Sequence, residues 1–152
     1  MRLFVIAALL LPTPVLGQGA PHPALTRLIP LTEVYDARNG RSAPGFDVAG
    51  IRCGAMVLAQ DAWARGTPGL PPLPAADLRQ ADTNLTASAV DRRQRQRMSA
   101  AAAASTTRAD AQRVRGLYLA RFEENRRRGL HPWRGDPVLE RDTTYCGFLN
   151  QR

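Results

Sequence analysis

The sequence predicts an all-α protein: a small bundle of about four helices, stapled by one disulfide and preceded by a cleaved signal peptide. Strand-forming residues are sparse and aromatic residues make up only 6% of the chain, which disfavours a large β-sandwich. Apolar residues recur at the three- and four-residue spacing of helices. A chain of 152 residues is long enough for one ordinary domain and short for two.

The first 17 residues have the pattern of a secretory signal peptide. Arg2 supplies a positive start, residues 3–11 form an unbroken apolar run, and Pro12 and Pro14 end it. We expect cleavage after Gly17, with an uncleaved membrane anchor as the alternative. The run is too short to cross a bilayer, which needs about 20 apolar residues, and no later segment is apolar enough. The sequence therefore predicts a secreted protein, periplasmic if its source is a Gram-negative bacterium, with no transmembrane segment in the mature chain.

Cys53 and Cys146 are the only cysteines in the chain. Two cysteines of one small exported domain usually pair, so we predict a structural disulfide between them. They lack the Cys-x-x-Cys spacing of a redox pair or a haem attachment site. For a closed loop of roughly 90 residues, the chain-entropy model gives about 4.7 kcal/mol of stabilisation as an upper estimate.

Residues 18–45 are predicted to form a flexible N-terminal arm. Residues 18–30 are rich in proline, glycine and alanine, which favours an extended and poorly ordered segment. Residues 31–38 could form a short helix with Thr32 as its cap, followed by a turn at Asn39-Gly40 and a loop over residues 42–45.

Residues 46–152 are predicted to form a single helical domain. Its first helix is expected between Asp47, a good N-cap, and Gly66, which suits a left-handed residue after the helix. Apolar residues between them form a stripe at helical spacing, and Trp63 is expected to pack in the core or at its rim. The four prolines of residues 67–74 predict a stiff connector rather than regular structure.

An alanine- and arginine-rich helical hairpin is predicted next. Its first helix, starting near Asp77 or Asp82, is expected to run through residues 85–104 and to be interrupted by Ser105-Thr106-Thr107. Its second helix is expected over residues 108–128, where a stripe includes Tyr118 and Phe122, with Arg121 as a polar interruption.

Two local signals place the ends of the remaining elements. Gly129 is expected to cap the second hairpin helix, and a bend follows it. Asp136 as a cap and Pro137 at the first helical position predict a last helix that runs to about Leu149. Glu123 and Glu124 are expected to pair with Arg127 and Arg128, four residues further on.

Positive charge is concentrated in the hairpin. The chain has 21 basic residues, all of them arginine, against 13 acidic residues. Residues 85–130 hold 11 of the arginines and four of the acids, which accounts for the whole positive excess of the mature chain. This predicts a surface for an acidic protein or an anionic envelope component; a merely solvated helix face is the alternative. The candidate binding residues are Arg92, Arg93, Arg95, Arg97, Arg126, Arg127 and Arg128.

The sequence has no phosphate-binding loop, nucleophile elbow or zinc-protease motif, so we expect no cofactor and no metal. The alternative function is an enzyme with a dispersed site near His131, Asp136 and Glu140. Nucleic acid is disfavoured as a partner because the protein is exported and its aromatic residues are not interleaved with the arginines. The alanine-rich face buries little apolar area, which leaves a homodimer open.

The sequence therefore predicts a small exported helical protein that acts by binding. It would be an assembly, stress or accessory factor that contacts an anionic partner through the arginine-rich hairpin. The layout of signal peptide, small α-domain and two separated cysteines is similar in outline to that of the periplasmic acid-stress chaperones. The similarity covers architecture alone and implies no site residues.

Overall fold

The computed structural model describes residues 21–36 and 46–149, and this part of the chain is all-helical, without strands. The predicted signal peptide, the turn at Asn39-Gly40 and the loop over residues 42–45 lie outside the described residues. A 3₁₀ turn and five α-helices follow one another in the described ranges. They are the 3₁₀ turn Pro23–Leu25, α1 (Leu31–Asp36), α2 (Phe46–Gly66), α3 (Ala75–Arg95), α4 (Ala100–Arg127) and α5 (Pro137–Leu149).

Helices α2, α3 and α4 pack against one another, and α5 packs against α1 and α2. The apolar stripe predicted for α2 is buried at Val48, Ile51, Ala55 and Ala59. Residues 67–74 connect α2 to α3 without regular structure, as their prolines predict. Gly66 ends α2 but is not left-handed; the positive φ of 85° falls on Gly69, within the connector.

The turn of the α3–α4 hairpin lies at residues 96–99, so the break predicted at Ser105-Thr106-Thr107 is wrong. Arg97 adopts φ 68°, and its N–H donates to Gln94 O at 2.9 Å while Met98 N–H donates to Arg93 O at 3.1 Å. These bonds satisfy the last carbonyls of α3 in the manner of a Schellman motif. Ser99 then caps α4 by accepting Ala102 N–H at 3.2 Å, so α4 begins earlier than expected.

The ends of α4 and α5 agree with their sequence signals. Gly129 follows α4 with φ 73°, and Leu130 N–H donates to Asn125 O at 2.9 Å. At the start of α5, Asp136 Oδ1 accepts the backbone N–H of Val138 at 3.0 Å and of Leu139 at 3.2 Å. Both ends are determined by chemistry within one helical turn, which is why they can be predicted locally.

Residues 21–30 were expected to be extended and poorly ordered, but they pack on the helices. Ala24 is fully buried, Leu25 is 2% exposed, and Leu31 at the start of α1 is fully buried. Arg52 donates to the carbonyl oxygens of Ala24 at 3.0 Å and Ile29 at 3.1 Å. The segment is ordered by a partner in α2, which no local pattern could indicate, and it forms part of the packed domain.

Arg52 is also the centre of a buried polar cluster that joins α2, α4 and α5. Its guanidinium forms an ion pair with Asp142, and both side chains are fully buried. Arg52 Nε donates to Tyr118 Oη at 3.0 Å, and Tyr118 Oη donates to Asp142 Oδ2 at 2.7 Å. The other oxygen of Asp142 accepts the first backbone N–H of α1, from Leu31, at 2.8 Å.

The predicted disulfide between Cys53 and Cys146 is confirmed, with a Cα–Cα distance of 5.5 Å. It joins α2 to α5 beside the polar cluster, because Cys53 follows Arg52 and Cys146 lies one helical turn after Asp142. A covalent bond and a buried ion pair therefore hold the same two helices together.

We expect Asp142→Asn to lower the free energy of unfolding by about 3–5 kcal/mol, because it leaves the Arg52 charge buried without its counter-charge. Urea unfolding of the oxidised protein measures this. Arg141→Gln is the matched control: it breaks a surface pair with Glu33 and should cost less than about 1 kcal/mol. A loss for Asp142→Asn no larger than that of the control would contradict the prediction.

Replacing both Cys53 and Cys146 with alanine should lower the free energy of unfolding by up to about 4.7 kcal/mol, because the unfolded chain gains the freedom that the long loop denied it. The helical content should persist at neutral pH, since Arg52 and Asp142 still join α2 to α5. Circular dichroism and urea unfolding report the two quantities. An unchanged unfolding midpoint would show that the cross-link adds no stability.

Candidate anion-binding surface

Every carboxylate of residues 85–130 forms an ion pair within that segment. Helix propensity places these residues on α3 and α4, where neighbours three or four residues apart meet on one face. The ion pairs within the hairpin are Asp91 with Arg95, Asp110 with Arg93 and Arg113, Glu123 with Arg126, and Glu124 with Arg121. Since the four acids are already paired, the remaining arginines carry the positive excess.

Arg93 is one of the sequence-predicted site residues, and the structure places it inside the hairpin. It is 8% exposed, and its guanidinium donates to Thr107 Oγ1 at 3.0 Å and to Asp110 Oδ2 at 2.5 Å. These bonds join the end of α3 to the start of α4. Arg93 therefore holds the hairpin together and leaves the set of residues that could meet a partner.

The predicted pairs of Glu123 and Glu124 with Arg127 and Arg128 do not form. Glu123 instead accepts from Arg126 at 2.6 Å, and this hydrogen bond lowers the pKa of Glu123. Because the pairs have three-residue spacing, Arg127 and Arg128 form no ion pair among the described residues and are exposed, although the charge of Arg127 also lowers the pKa of Glu123.

Arg97 in the hairpin turn and Arg108 on α4 share two properties with Arg127 and Arg128. Each is exposed, and none of the ion pairs within residues 21–36 and 46–149 includes it. Arg115 on α4 is also exposed and belongs to none of these ion pairs, so five such arginines are found in the described part of residues 85–130. Two of them, Arg108 and Arg115, were not among the candidates.

The candidate arginines form two groups at opposite ends of α4. The turn cluster, Arg92, Arg95 and Arg97, lies where α3 meets α4, and the end cluster, Arg126, Arg127 and Arg128, lies at the C-terminal end of α4. A 28-residue helix is about 42 Å long. The two clusters therefore cannot form one continuous patch, although their charges add to the same field.

The residues of the alternative enzyme site stabilise the loop between α4 and α5. His131 Nδ1 accepts the backbone N–H of Trp133 at 3.3 Å and of Arg134 at 3.2 Å. Glu140 accepts Gly135 N–H at 2.8 Å. Each side chain thus has a local structural contact, and an enzymatic role for them stays a hypothesis.

Asp136 is 2% exposed and holds the same loop. Its Oδ2 accepts from Arg121 Nε at 2.7 Å and from Asn125 Nδ2 at 3.0 Å. Burial alone would raise the pKa of Asp136, but the hydrogen bonds from Asn125, Arg121 and Leu139 N–H outweigh it and lower the pKa. Arg121, which interrupts the apolar stripe of α4, therefore binds Asp136 just before α5.

The most buried polar residues, Arg52, Tyr118 and Asp142, were not among the site residues predicted from the sequence. Burial opposes the charge of Arg52, but Tyr118 and Asp142 outweigh that effect and raise its pKa. Burial is the main cause that raises the pKa of Tyr118, which therefore remains a donor to Asp142. One signal was present: the predicted disulfide brings Cys53 to Cys146, and hence Arg52 and Asp142 to the same interface.

Two clefts open on the face that carries Gln60. One, of about 510 Å³, lies beside the disulfide and includes Val57, Leu73 and Asp77 in its lining; the other, of about 440 Å³, includes Trp133 and Arg134. Within the described ranges, no group of three or more His, Cys, Asp or Glu side chains could hold a metal ion. No helix in this part of the chain is long and apolar enough to cross a bilayer.

No protein-family model, curated protein or solved structure matches the chain. The observations that bear on function are therefore which arginines are paired, which are exposed, and where each group lies along α4.

Stability should fall as the pH drops from about 7 to 5, because His131 must be neutral at Nδ1 to accept two backbone N–H groups. Burial and the charge of Arg134 lower the pKa of His131 below 6.5. Its contribution is therefore complete above pH 6.5 and is lost as the pH falls through the lowered value. His131→Asn, whose amide oxygen accepts without titrating, should give a flatter dependence of Tm on pH over this interval. Identical profiles for the two proteins would exclude this role.

Proposed function

We propose that this chain is an exported binding protein that holds an anionic partner through the unpaired arginines of its α3–α4 hairpin. One observation carries the proposal: every carboxylate of residues 85–130 is paired within that segment, whereas Arg97, Arg108, Arg127 and Arg128 are exposed and belong to no ion pair among the described residues. The positive charge at these positions is therefore available to an external anion.

Physical considerations support an anionic partner rather than a solvated face. Clustered positive charge attracts anions over several ångströms and increases their rate of association. Arginine binds carboxylate and phosphate groups in a two-pronged geometry, so its contacts add orientation to attraction. The hairpin that presents these side chains is held by the buried pair of Arg93 and Asp110, which limits the ordering cost of binding.

The partner class that we propose is an acidic protein or an anionic component of the cell envelope. The disulfide is compatible with export, and export would separate the protein from most nucleic acid. In this setting the protein would serve as an assembly, stress or accessory factor.

Changing Arg97, Arg108, Arg127 and Arg128 together to Gln should weaken binding to an anionic probe by about tenfold to a hundredfold without lowering Tm. The probes are immobilised polyglutamate and phosphatidylglycerol vesicles, each titrated at 50 and 300 mM salt. Binding of the wild type should weaken at the higher salt, because screening shortens the reach of exposed charges.

A matched control removes the same number of charges from outside residues 85–130, through Gln at Arg27, Arg65, Arg79 and Arg141. These side chains are also exposed, so the control tests location rather than net charge. Equal weakening by both variants would show that total charge alone governs binding. Absence of salt-dependent binding of the wild type to either probe would contradict the proposed function.

A further inference from the structure

The loop after α4 presents an exposed leucine among arginines. Leu130 is 45% exposed and is the one large apolar residue found exposed among those whose side chains the structure describes. Arg126, Arg127 and Arg128 precede it and Arg134 follows it, while residues 126–134 contain no acidic residue. We name residues 126–134 the end loop. Its composition combines an apolar tip with four positive charges.

Hydrogen bonds on both sides of Leu130 hold the backbone conformation in which its side chain is exposed. Leu130 N–H donates to Asn125 O at 2.9 Å, and Asn125 Nδ2 donates to Pro132 O at 2.9 Å. His131 Nδ1 accepts two further N–H groups of the loop. The loop is thus held in shape on both sides of Leu130, and binding would need little additional ordering.

The exposure of Leu130 differs from the usual packing of a residue that follows a helix-ending glycine. After a Schellman motif, the apolar residue that follows the glycine commonly packs back on the last turn of its helix. Leu130 occupies that position but remains largely exposed. Trp133 is half-buried against Phe122, with ring centroids 5.4 Å apart, which supports the loop from the core side.

We propose that the end loop docks on an anionic lipid bilayer, with Leu130 entering the boundary between headgroups and acyl chains. Arg127, Arg128 and Arg134 would contact lipid phosphates. This inference rests on the proposed function and specifies both its surface and its partner. Every residue from 126 to 130 is exposed, so these side chains are accessible to a bilayer surface.

A membrane fits this shape better than an acidic protein does. A projecting apolar side chain needs a complementary pocket on a protein partner, whereas a bilayer interface accepts it directly. Tryptophan favours the headgroup level, where Trp133 would lie beside Arg134. The turn cluster is about 42 Å away along α4, so only one end of the molecule would touch the surface.

Vesicle co-sedimentation of the full mature, oxidised protein tests the proposal. Vesicles of phosphatidylcholine with phosphatidylglycerol are compared with pure phosphatidylcholine at 100 mM salt. The variant with Arg127→Gln and Arg128→Gln should bind the anionic vesicles about 25-fold more weakly, since each arginine near such a surface contributes about fivefold. Leu130→Asn should lose about fivefold through its lost apolar burial.

The matched control is the pair Arg97→Gln and Arg108→Gln, which removes two unpaired charges away from the end loop. It should stay within about twofold of the wild type, and all variants should keep the wild-type Tm, because the altered side chains are exposed. This pattern supports docking through the end loop.

Four results would overturn the proposal. Equal losses for the two arginine pairs would show that binding follows net charge, and an unchanged affinity of Leu130→Asn would exclude insertion of the tip. Binding to immobilised polyglutamate without binding to anionic vesicles would indicate an acidic protein partner, in which case the proposed function stands and the membrane inference fails. Absence of binding to both probes would remove the proposed function as well.

Discussion

The buried ion pair of Arg52 and Asp142 is the contact on which the rest of the structure depends. Removing two charges from water costs several kcal/mol per ion, and the cost is offset only when nearly every donor and acceptor finds a partner. Here the partners come from five segments: α2, α4, α5, the start of α1 and the chain around the 3₁₀ turn. Displacing any one of these segments would leave a buried donor or acceptor of the cluster without its partner, at a cost of about 1–3 kcal/mol.

The same principle divides the arginines of the hairpin into two kinds. Arg93 and Arg121 contact a carboxylate on another part of the fold, Asp110 and Asp136 respectively, and therefore hold elements together. Arg127 and Arg128 have no such partner in the described part of the chain and remain at the surface. Arginine thus stabilises the fold in one place and leaves charge for binding in another. The proposed function concerns only the second kind.

The loop between α4 and α5 links these two roles. Asp136 caps α5 and accepts from Arg121 and Asn125, so it holds the end of α4 against the start of α5. This order is what gives the exposed Leu130 and its neighbouring arginines a defined position. A surface that is ordered before binding loses less entropy when it meets a partner.

The sequence by itself determined the helical class, the connector over residues 67–74, the cap at Gly129, the start of α5 at Asp136 and the disulfide. Each follows from chemistry within one helical turn or, for the disulfide, from the presence of exactly two cysteines. Tertiary structure decided the order of residues 21–30, the contacts of Arg52 and the burial of Arg93. It also moved the hairpin turn to residues 96–99, because Arg97 and Ser99 could satisfy both helix ends while Thr107 faced Arg93. Chemically identical arginines differ only in which carboxylate lies near the guanidinium. The distance between the two groups is set by the packing of helices that are remote in sequence.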